Sequence, residues 1–352
     1  MRIPFHARAI AIALLCLPAS LGANTQTQRE TKATAAPAAE AQAKKRSNEP
    51  LEALLRAADA FHYEGRFSEA HETLALAERT ALRDDVDAGT RAKFWILRGN
   101  IYLSQTTAIN SGYEEAEAAA ARGLEFAEQS NGADIVADAY DLAGRIHYSR
   151  RINLGQGDYE KPLEFFKKAL SLRRKTADRR GLVEALFRVG LIHERRNADA
   201  KAIEIYNEAF KVAGSDFPLE RANVARHMAY QMQGRGEFDK ALKLFEESLE
   251  LREQAGFLLT RAPALNSIGD LYRRKKEFAR ALEFNKRAFA EAEKINAKRF
   301  MVMALISIGE TQQAVGDAQW AREHWRRAEK LAKEIGYVSG IEQARDRLTK
   351  LK

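Results

Sequence analysis

The sequence repeats itself between LFRVGLIHERRNADAKAIEIYNEAF (Leu186–Phe210) and LNSIGDLYRRKKEFARALEFNKRAF (Leu265–Phe289), which align without gaps. In each stretch a glycine stands four residues after a leucine, and alanines follow 12 and 19 residues after that glycine. A third stretch, LISIGETQQAVGDAQWAREHWRRAE (Leu305–Glu329), follows the same scheme. Self-similarity at a fixed period indicates that one small structural unit is copied along the chain.

Small residues recur at three positions of this unit, in seven copies. The first set is Ala58, Gly99, Gly144, Gly190, Ala229, Gly269 and Gly309. The second set is Ala70, Ala116, Pro162, Ala202, Ala241, Ala281 and Ala321. The third set is Ala77, Gly123, Ala169, Ala209, Ser248, Ala288 and Ala328. A small first residue lets the second helix of its unit approach closely, and the later ones let the next unit dock.

This alternation of small and bulky residues resembles the tetratricopeptide repeat (TPR), a pair of antiparallel helices. The resemblance covers about residues 51–335 and implies an all-α fold, a right-handed α-solenoid of about seven antiparallel helix pairs. Residues 336–352 are predicted to form a C-terminal capping helix, because Ile341, Ala344, Leu348 and Leu351 share one helical face. Pro162 replaces an alanine near the start of its helix, where a missing N–H costs little.

The first small residues are separated by 39 to 46 residues, whereas the simplest repeats of this family recur every 34 or so. The helices are therefore predicted to be longer, as in extended members of the family. Extra residues in the second and third units are assigned to the inter-helix turns near Ser104–Ser111 and Arg150–Gln156. They could form a lip over one end of a groove, or be tolerated loop insertions.

The first 23 residues have the layout of a secretory signal peptide: a basic start, the apolar run Ala9–Leu17 and small residues for cleavage. An uncleaved, weakly anchored terminus is the alternative. Cys16, the single cysteine, follows Leu15 and so does not fit a lipidation site. Residues 24–50 have no large apolar side chains and are predicted to be a disordered linker. The expected location is the bacterial periplasm, or secretion.

Net charge is +8, and removing Arg2 and Arg8 with the signal leaves +6, a bias that favours solubility more than nucleic-acid binding. The basic clusters 173–175 and 273–276 lie at helix ends that project from opposite edges of a solenoid. Nucleic acid is therefore not the expected partner. No later apolar run is long enough to span a membrane.

Catalytic and metal-binding interpretations find little support in the sequence. The histidines show no HExxH or HxH spacing, and neither a P-loop nor a GxSxG motif occurs. His147 and His193 occupy equivalent positions in neighbouring units, which allows either a metal pair or simple ring packing at the seam. We expect no enzyme activity, no catalytic residues, no cofactor and no metal.

In the TPR family the first helix of each pair lines the concave face, which commonly holds a peptide or a helix of a partner. Transferring that property to this chain places first-helix residues around the small position in a protein- or peptide-binding groove. These residues are Lys93, Asn100, Asp141, Arg145, Tyr148, Phe187, Arg188, Arg226, Tyr230, Asn266, Asp270 and Arg273. Lys93 and Asn100 resemble part of the family's lysine/asparagine clamp for a terminal carboxylate, but the full set is absent.

The sequence thus predicts a non-enzymatic, exported TPR scaffold or adaptor that binds a protein or peptide in its concave groove. The alternative is an extracytoplasmic sensor or regulatory module. Because the sequence has no predicted membrane span after the signal, such a module would act in trans on a membrane signalling protein. The patterns predict no particular oligomeric state.

Overall fold

A computed structural model describes residues 48–351, and within that range the regular elements are helices without strands. The helices of the first four pairs are α1 (48–63), α2 (Phe67–Ala81), α3 (Ala88–Ile109), α4 (Tyr113–Ser130), α5 (Ala133–Leu154), α6 (Glu160–Arg173), α7 (Arg179–Arg195) and α8 (Asp199–Ala213). The later ones are α9 (Pro218–Gly234), α10 (Phe238–Ala255), α11 (Arg261–Arg274), α12 (Phe278–Lys294), α13 (Lys298–Ala314), α14 (Ala318–Glu334) and α15 (Val338–Lys350). A short 3₁₀ turn, Leu258–Thr260, precedes α11.

Odd-numbered and even-numbered helices pack in sequential pairs, and each pair packs against the next. The odd-numbered helices also contact one another from pair to pair, as α5 does with α7 and α11 with α13. The first helices therefore lie on the inner side of the curve. Helix α15 closes the series against α13 and α14, with Ala344 fully buried. The all-α solenoid of helix pairs with a capping helix is confirmed.

Small residues of the first set form the seam within each pair. A Cβ atom added to Gly144 would lie 2.5 Å from Phe166 Cε1, and one added to Gly190 would lie 2.7 Å from Tyr206 Cε1. Each of these aromatic side chains is fully buried. Because real Cβ contacts are almost never shorter than 3.0 Å, glycine is needed where an aromatic ring of the second helix crosses the first helix.

Helix α6 shows how the chain tolerates proline inside this pattern. Pro162 is its third residue, within the first turn, where backbone N–H groups lack intrahelical partners. The Asp158 carboxylate caps that turn by accepting hydrogen bonds from the N–H groups of Glu160 (2.9 Å) and Lys161 (3.1 Å).

The extra residues of the second and third units are helical, which differs from the expectation that they form turns. Helices α3 and α5 have 22 residues each, whereas α7, α9 and α13 have 17. The inserted residues 104–109 and 150–154 continue their helices because the longer helices find packing partners at their ends. The α3 end in particular contacts a distant part of the chain.

The early and the late helix pairs of the described array contact each other at the end of α3, which belongs to the second pair. Asn110, in the left-handed backbone conformation (φ 59°), donates from Nδ2 to the carbonyl oxygens of Gly336 (3.0 Å) and Ile335 (3.3 Å). Arg299 Nη1 donates to the Thr107 carbonyl at 3.3 Å. An apolar cluster lies beside these hydrogen bonds, and Ala108 and Phe300 are buried in it. Helix α3 thus packs on α13, and α5 on α15.

Helix α1 already includes residues 48–50, which the sequence analysis placed in the linker. Asn48 is buried and donates to Asp87 Oδ2 at 2.7 Å, which fixes the start of α1 against the start of α3. The predicted signal peptide and the rest of the predicted linker lie outside the described residues. Over residues 48–351, none of the helices combines the length and apolar character that crossing a bilayer requires.

Candidate binding groove

Side chains of the odd-numbered helices form the inner face, and in the third and fourth units charged groups join across the helices. The Asp141 carboxylate contacts Arg145 Nε at 2.6 Å on its own helix and Arg188 Nε at 3.4 Å on α7. Arg145 also donates to Asn100 Oδ1 on α3. Four predicted groove residues from the three odd-numbered helices α3, α5 and α7 therefore lie side by side. We call Asn100, Asp141, Arg145 and Arg188 the Asp141 cluster.

A second acidic side chain, Glu184, lies one turn before Arg188 and close to the Asp141 cluster. Burial raises the pKa of Glu184 to about 7, and the nearby carboxylates of Asp141 and Glu220 add to that rise. Burial also lowers the pKa of Arg188 from its usual value. The Glu184 side chain keeps 37% exposure and Arg188 21%, so this part of the inner face is partly open, and the two shifts reflect charges that depend on one another.

The centre of the inner face is filled by a polar and aromatic cluster. Phe187 is 5% exposed, and its ring lies 5.1 Å from His227 in an edge-to-face arrangement. His227, 4% exposed, hydrogen-bonds through Nδ1 to Glu194 Oε2 at 3.0 Å, and Tyr206 donates to the same oxygen at 2.9 Å. Burial acts to raise the pKa of Glu194, but the charge and hydrogen bond of His227, the Arg195 cation and the Tyr206 hydroxyl lower it to about 2. Phe187 therefore belongs to the core in this structure.

Arg226 and Tyr230 lie beside this cluster on α9, and both are half-buried. The Arg226 guanidinium lies over the Tyr230 ring, 5.8 Å from its centroid. The Tyr230 hydroxyl hydrogen-bonds to Ser267 Oγ at 2.5 Å, and its ring packs edge-to-face on Phe245. Arg226 forms no ion pair with any described residue; its one polar side-chain contact is with His227, at 3.4 Å. This arginine differs in that respect from Arg145 and Arg188.

Tyr148 and Lys93 are predicted groove residues that lie outside the Asp141 cluster. The Tyr148 hydroxyl accepts a hydrogen bond from Arg195 Nε at 3.0 Å, and burial raises its pKa. Lys93 is exposed, and its Nζ lies 3.8 Å from Glu52 Oε1 on α1. The structure therefore does not bring Lys93 together with the Asp141 cluster.

The late end of the inner face carries another network, which we call the Glu310 cluster: Asn266, Asp270, Arg273, Glu310 and Arg347. Arg273 Nη2 lies 2.8 Å from Glu310 Oε2, and Arg347 Nε donates to Glu310 Oε1 at 2.6 Å. Asn266 donates to Asp270 Oδ2 at 3.3 Å. Burial raises the pKa of Asp270 to about 6, against the opposing effect of Arg273.

Asn266 itself is 7% exposed and also donates to Ser307 Oγ at 3.0 Å, so its amide is part of the packed interface between α11 and α13. Next to the Glu310 cluster a cleft of about 420 Å³ opens, lined by Arg273, Gln313, Asp346 and Arg347 among others. Arg273, Glu310 and Arg347 of the cluster thus line this cleft themselves.

Several inner-face residues were missed by the sequence analysis. Glu194 stands four residues after Gly190, the register that selected Tyr148 and Arg273, and Glu310 stands one after Gly309, the register of Arg145 and Asp270. The same offset rule, applied to every unit, would have found both. Arg347 gave no such signal, because it lies beyond the last complete unit.

The histidine and the basic clusters singled out from the sequence have local partners. The His147 ring stacks on Phe165, with centroids 5.6 Å apart and planes 6° from parallel, as the ring-packing alternative expects. Arg174, Arg179 and Arg180 pair with Glu208, Asp216 and Glu220 respectively. These cations therefore do not form a continuous unpaired stripe.

The helix pairs, the small-residue seams and the inner row of polar side chains define a helical-repeat protein. The tetratricopeptide-repeat family model matches residues 151–215 and 220–294. The similar solved structures are tetratricopeptide-repeat-like proteins as well, so the matched residues carry tetratricopeptide repeats and the likeness of the rest of the chain concerns the fold. No curated protein matches the chain in sequence.

Three solved structures are similar to this one at low sequence identity. A Rap protein complexed with competence and sporulation factor has a TM-score of 0.65 and 15% identity over 86% of each chain. The Cut9–Hcn1 hetero-tetramer of APC/C gives 0.56 and 14%, covering 84% of this chain and 48% of that one. A signal-transduction ATPase with a tetratricopeptide repeat sensor from Pyrococcus horikoshii gives 0.52 and 18%, covering 89% and 46%. At these identities the likeness concerns the fold.

Proposed function

We propose that this protein is a non-enzymatic, exported scaffold or adaptor that binds a protein or peptide in the groove formed by its odd-numbered helices. The observation that carries the proposal is the row of inner-face side chains, in which the Asp141 cluster, Arg226 with Tyr230, and the Glu310 cluster follow one another across successive units. Arginine and tyrosine are the residue types that anchor protein partners most often.

An extended polar ligand fits this row better than an apolar helix. The half-buried groups that face inward are arginines, carboxylates, amides and a tyrosine hydroxyl, and apolar side chains such as Phe187 are turned into the core. A peptide backbone and its charged side chains can exchange hydrogen bonds with such groups. The structurally similar Rap protein was solved in complex with competence and sporulation factor, which is consistent with ligand binding on this architecture.

Site-specific photo-crosslinking in cells tests the groove. A crosslinking amino acid at Gln313, which lines the inner-face cleft beside the Glu310 cluster, is expected to capture a partner, whereas the same residue at Lys330, exposed on the second helix of the same unit, is not. Replacing Arg145, Arg226 and Tyr230 by alanine should abolish capture of that partner by a purified, folded variant. Equal capture from positions 313 and 330, or full retention by the triple variant, would contradict the groove assignment.

Export is the second part of the proposal and rests on the sequence of residues 1–23. The chain produced with its own N-terminus should be found in the periplasmic or secreted fraction, with a new N-terminus close to residue 24. An uncleaved chain that stays in the cytoplasmic fraction would contradict export but leave the groove proposal intact.

The alternative function, a sensor acting in trans on a membrane signalling protein, is favoured by the contact between α3 and α13. A ligand that bound between the early and late units would change that contact and so transmit its presence over the whole array. The expected result is a small-molecule ligand that raises the melting temperature and changes hydrogen exchange at Asn110 and Gly336 together. A ligand that stabilises the chain without altering exchange there would argue against the sensor.

A further inference from the structure

Two arginines occupy equivalent positions in the third and fifth units. Arg173 lies four residues after Ala169, and Arg252 lies four residues after Ser248. The other five units have alanine at this position: Ala81, Ala127, Ala213, Ala292 and Ala332. Both arginine side chains are buried, with 5% and 1% exposure. Their partners, however, differ in charge.

Arg173 is surrounded by carboxylates. Its Nη1 donates to Asp134 Oδ1 at 3.0 Å and to Asp178 Oδ2 at 2.5 Å, and its Nη2 donates to Asp138. Asp138 stands six residues before Gly144, and Asp178 is the N-cap residue of α7. A buried guanidinium is normally accompanied by such counterions, because an unpaired buried charge is costly.

Arg252 has neutral groups at the two positions that correspond to Asp138 and Asp178. Its Nη2 donates to Asn223 Oδ1 at 2.8 Å, and its Nη1 donates to Thr260 Oγ1 at 2.9 Å. Asn223 stands six residues before Ala229, as Asp138 does before Gly144, and Thr260 is the N-cap residue of α11. The Nε atom of Arg252 is buried and has no hydrogen-bond partner among the described residues. The third carboxylate is also missing, since Leu219 corresponds to Asp134.

The charge on Arg252 persists at neutral pH. Burial, reinforced by the Arg226 cation, lowers the pKa of Arg252 to about 9, which still leaves the guanidinium protonated at pH 7. Arg226, itself without an ion pair among the described residues, adds a second positive charge from the inner face. Arg252 therefore lacks the carboxylates that neutralise Arg173, since the nearby Glu220, one turn before Asn223, is paired with Arg180.

The hydrogen-bonding groups around Arg252 are also arranged to favour an anion. The oxygens of Asn223 and Thr260 accept bonds from Arg252, and within the described chain the Asn223 amide N–H groups and the Thr260 hydroxyl donate to no other group. Together with Arg252 Nε they leave donors without matching acceptors. Asn223 and Thr260 are half-buried, so part of each residue is exposed to solvent next to the buried Arg252.

We propose that Arg252, Asn223, Thr260 and Arg226 form an anion-binding subsite of the groove and that it takes a carboxylate of the peptide or protein ligand. The inference rests on the proposed groove function and specifies its ligand as acidic. In the third unit three aspartates of the chain neutralise the arginine; in the fifth unit the ligand supplies the carboxylate.

The test uses acetyl-Glu-Glu-Glu amide as the probe and acetyl-Gln-Gln-Gln amide as its neutral counterpart, measured by calorimetry at fixed ionic strength. The wild-type chain should bind the acidic probe at least tenfold more tightly than the neutral one. The variant Asn223→Asp gives Arg252 the carboxylate that Asp138 gives Arg173. It should melt at a higher temperature than wild type without ligand and should lose this preference.

Two matched measurements complete the design. Asp138→Asn makes the reverse exchange at Arg173; it should lower the melting temperature and leave the affinity for the acidic probe within twofold. Inorganic phosphate serves as a separate arm. If phosphate stabilises wild type but not Asn223→Asp while the acidic probe binds no better than the neutral one, the subsite takes a free anion and the peptide proposal is overturned.

Equal affinity of wild type for the acidic and neutral probes, or unchanged preference in Asn223→Asp, would also overturn the inference. Photo-crosslinking from position 313 leaves all four residues of the proposed subsite in place and does not depend on ligand charge. A partner captured there while the acidic probe shows no preference would therefore refute this subsite and leave the proposed groove function standing.

Discussion

The seams between paired helices and the inner face of the array are held together by different kinds of interaction. At the seams, glycine meets a buried aromatic ring, as Gly309 meets Trp325, and the contact is decided by shape. On the inner face, the Asp141 and Glu310 clusters are held by paired charges across neighbouring helices. The size of the seam side chains therefore lets the repeats stack, whereas the charged side chains of the inner face differ from one repeat to the next.

The largest expected effect comes from removing the buried aromatic side chain of one seam. Trp325→Ala should lower the free energy of unfolding by about 4 kcal/mol, because a fully buried ring and its Nε1 bond to the Ile306 carbonyl (3.2 Å) are lost. Chemical denaturation monitored by circular dichroism measures the change. Trp320→Ala, on the same helix but 50% exposed, is the control and should change stability by less than about 0.5 kcal/mol. Similar losses for both variants would contradict the shape argument.

The buried charges of the inner face should make stability depend on pH. Burial lowers the pKa of His227 to about 4, below the usual 6.5, and Glu194, Arg195 and Arg226 act on the same imidazole. Between pH 6.5 and 4 the unfolded chain therefore binds a proton that the folded chain does not. Stability is lost as pH falls, by about 2 kcal/mol at pH 5.

Comparison with His227→Gln isolates this contribution, since glutamine can still donate to Glu194 and all other titrating groups are common to both chains. On going from pH 7.5 to pH 5, wild type should lose about 2 kcal/mol more than the variant, as measured by urea denaturation. Parallel losses would mean that His227 does not titrate in this way.

One seam breaks the shape rule and gives a prediction of the opposite sign. Asn285 occupies the position of Tyr206 and Trp325, is fully buried, and neither of its side-chain polar atoms has a hydrogen-bond partner among the described residues. Asn285→Leu should stabilise the fold by about 1 to 2 kcal/mol, because two unsatisfied polar atoms are removed. Asn207→Leu, exposed on α8, controls for helix propensity. Destabilisation at position 285 would indicate that the amide has a partner in solution.

The smallest effect is expected where the early and late units meet. Asn110→Gly keeps the left-handed backbone but removes the bonds to Ile335 and Gly336, at a cost of about 1 kcal/mol. Hydrogen exchange at residues 335–337 should become faster. Asn131→Gly, which also ends its helix in the left-handed conformation (φ 55°), should leave exchange there unchanged. Unchanged exchange in Asn110→Gly would show that the amide does not hold this contact.

Much of the fold could be predicted because its determinants are local in sequence. The spacing of Gly190, Ala202 and Ala209 specifies one helix pair, and copying that spacing specifies the stack. Offsets from the same glycines also identified Asp141, Arg145 and Arg188, which the structure places together. The same offsets wrongly predicted that Phe187 and Asn266 are accessible in the groove. Both are buried, because burial depends on how closely the next unit packs.

The sequence by itself determined the helix pairs, their seams and the tolerance of Pro162, because each depends on residues within one or two units. Only the tertiary structure decided that α3 meets α13, since the Asn110–Gly336 contact spans 226 residues and depends on curvature accumulated over the whole array. It also decided which inner arginines find carboxylates, because an ion pair between units requires a distance that no spacing within a unit fixes.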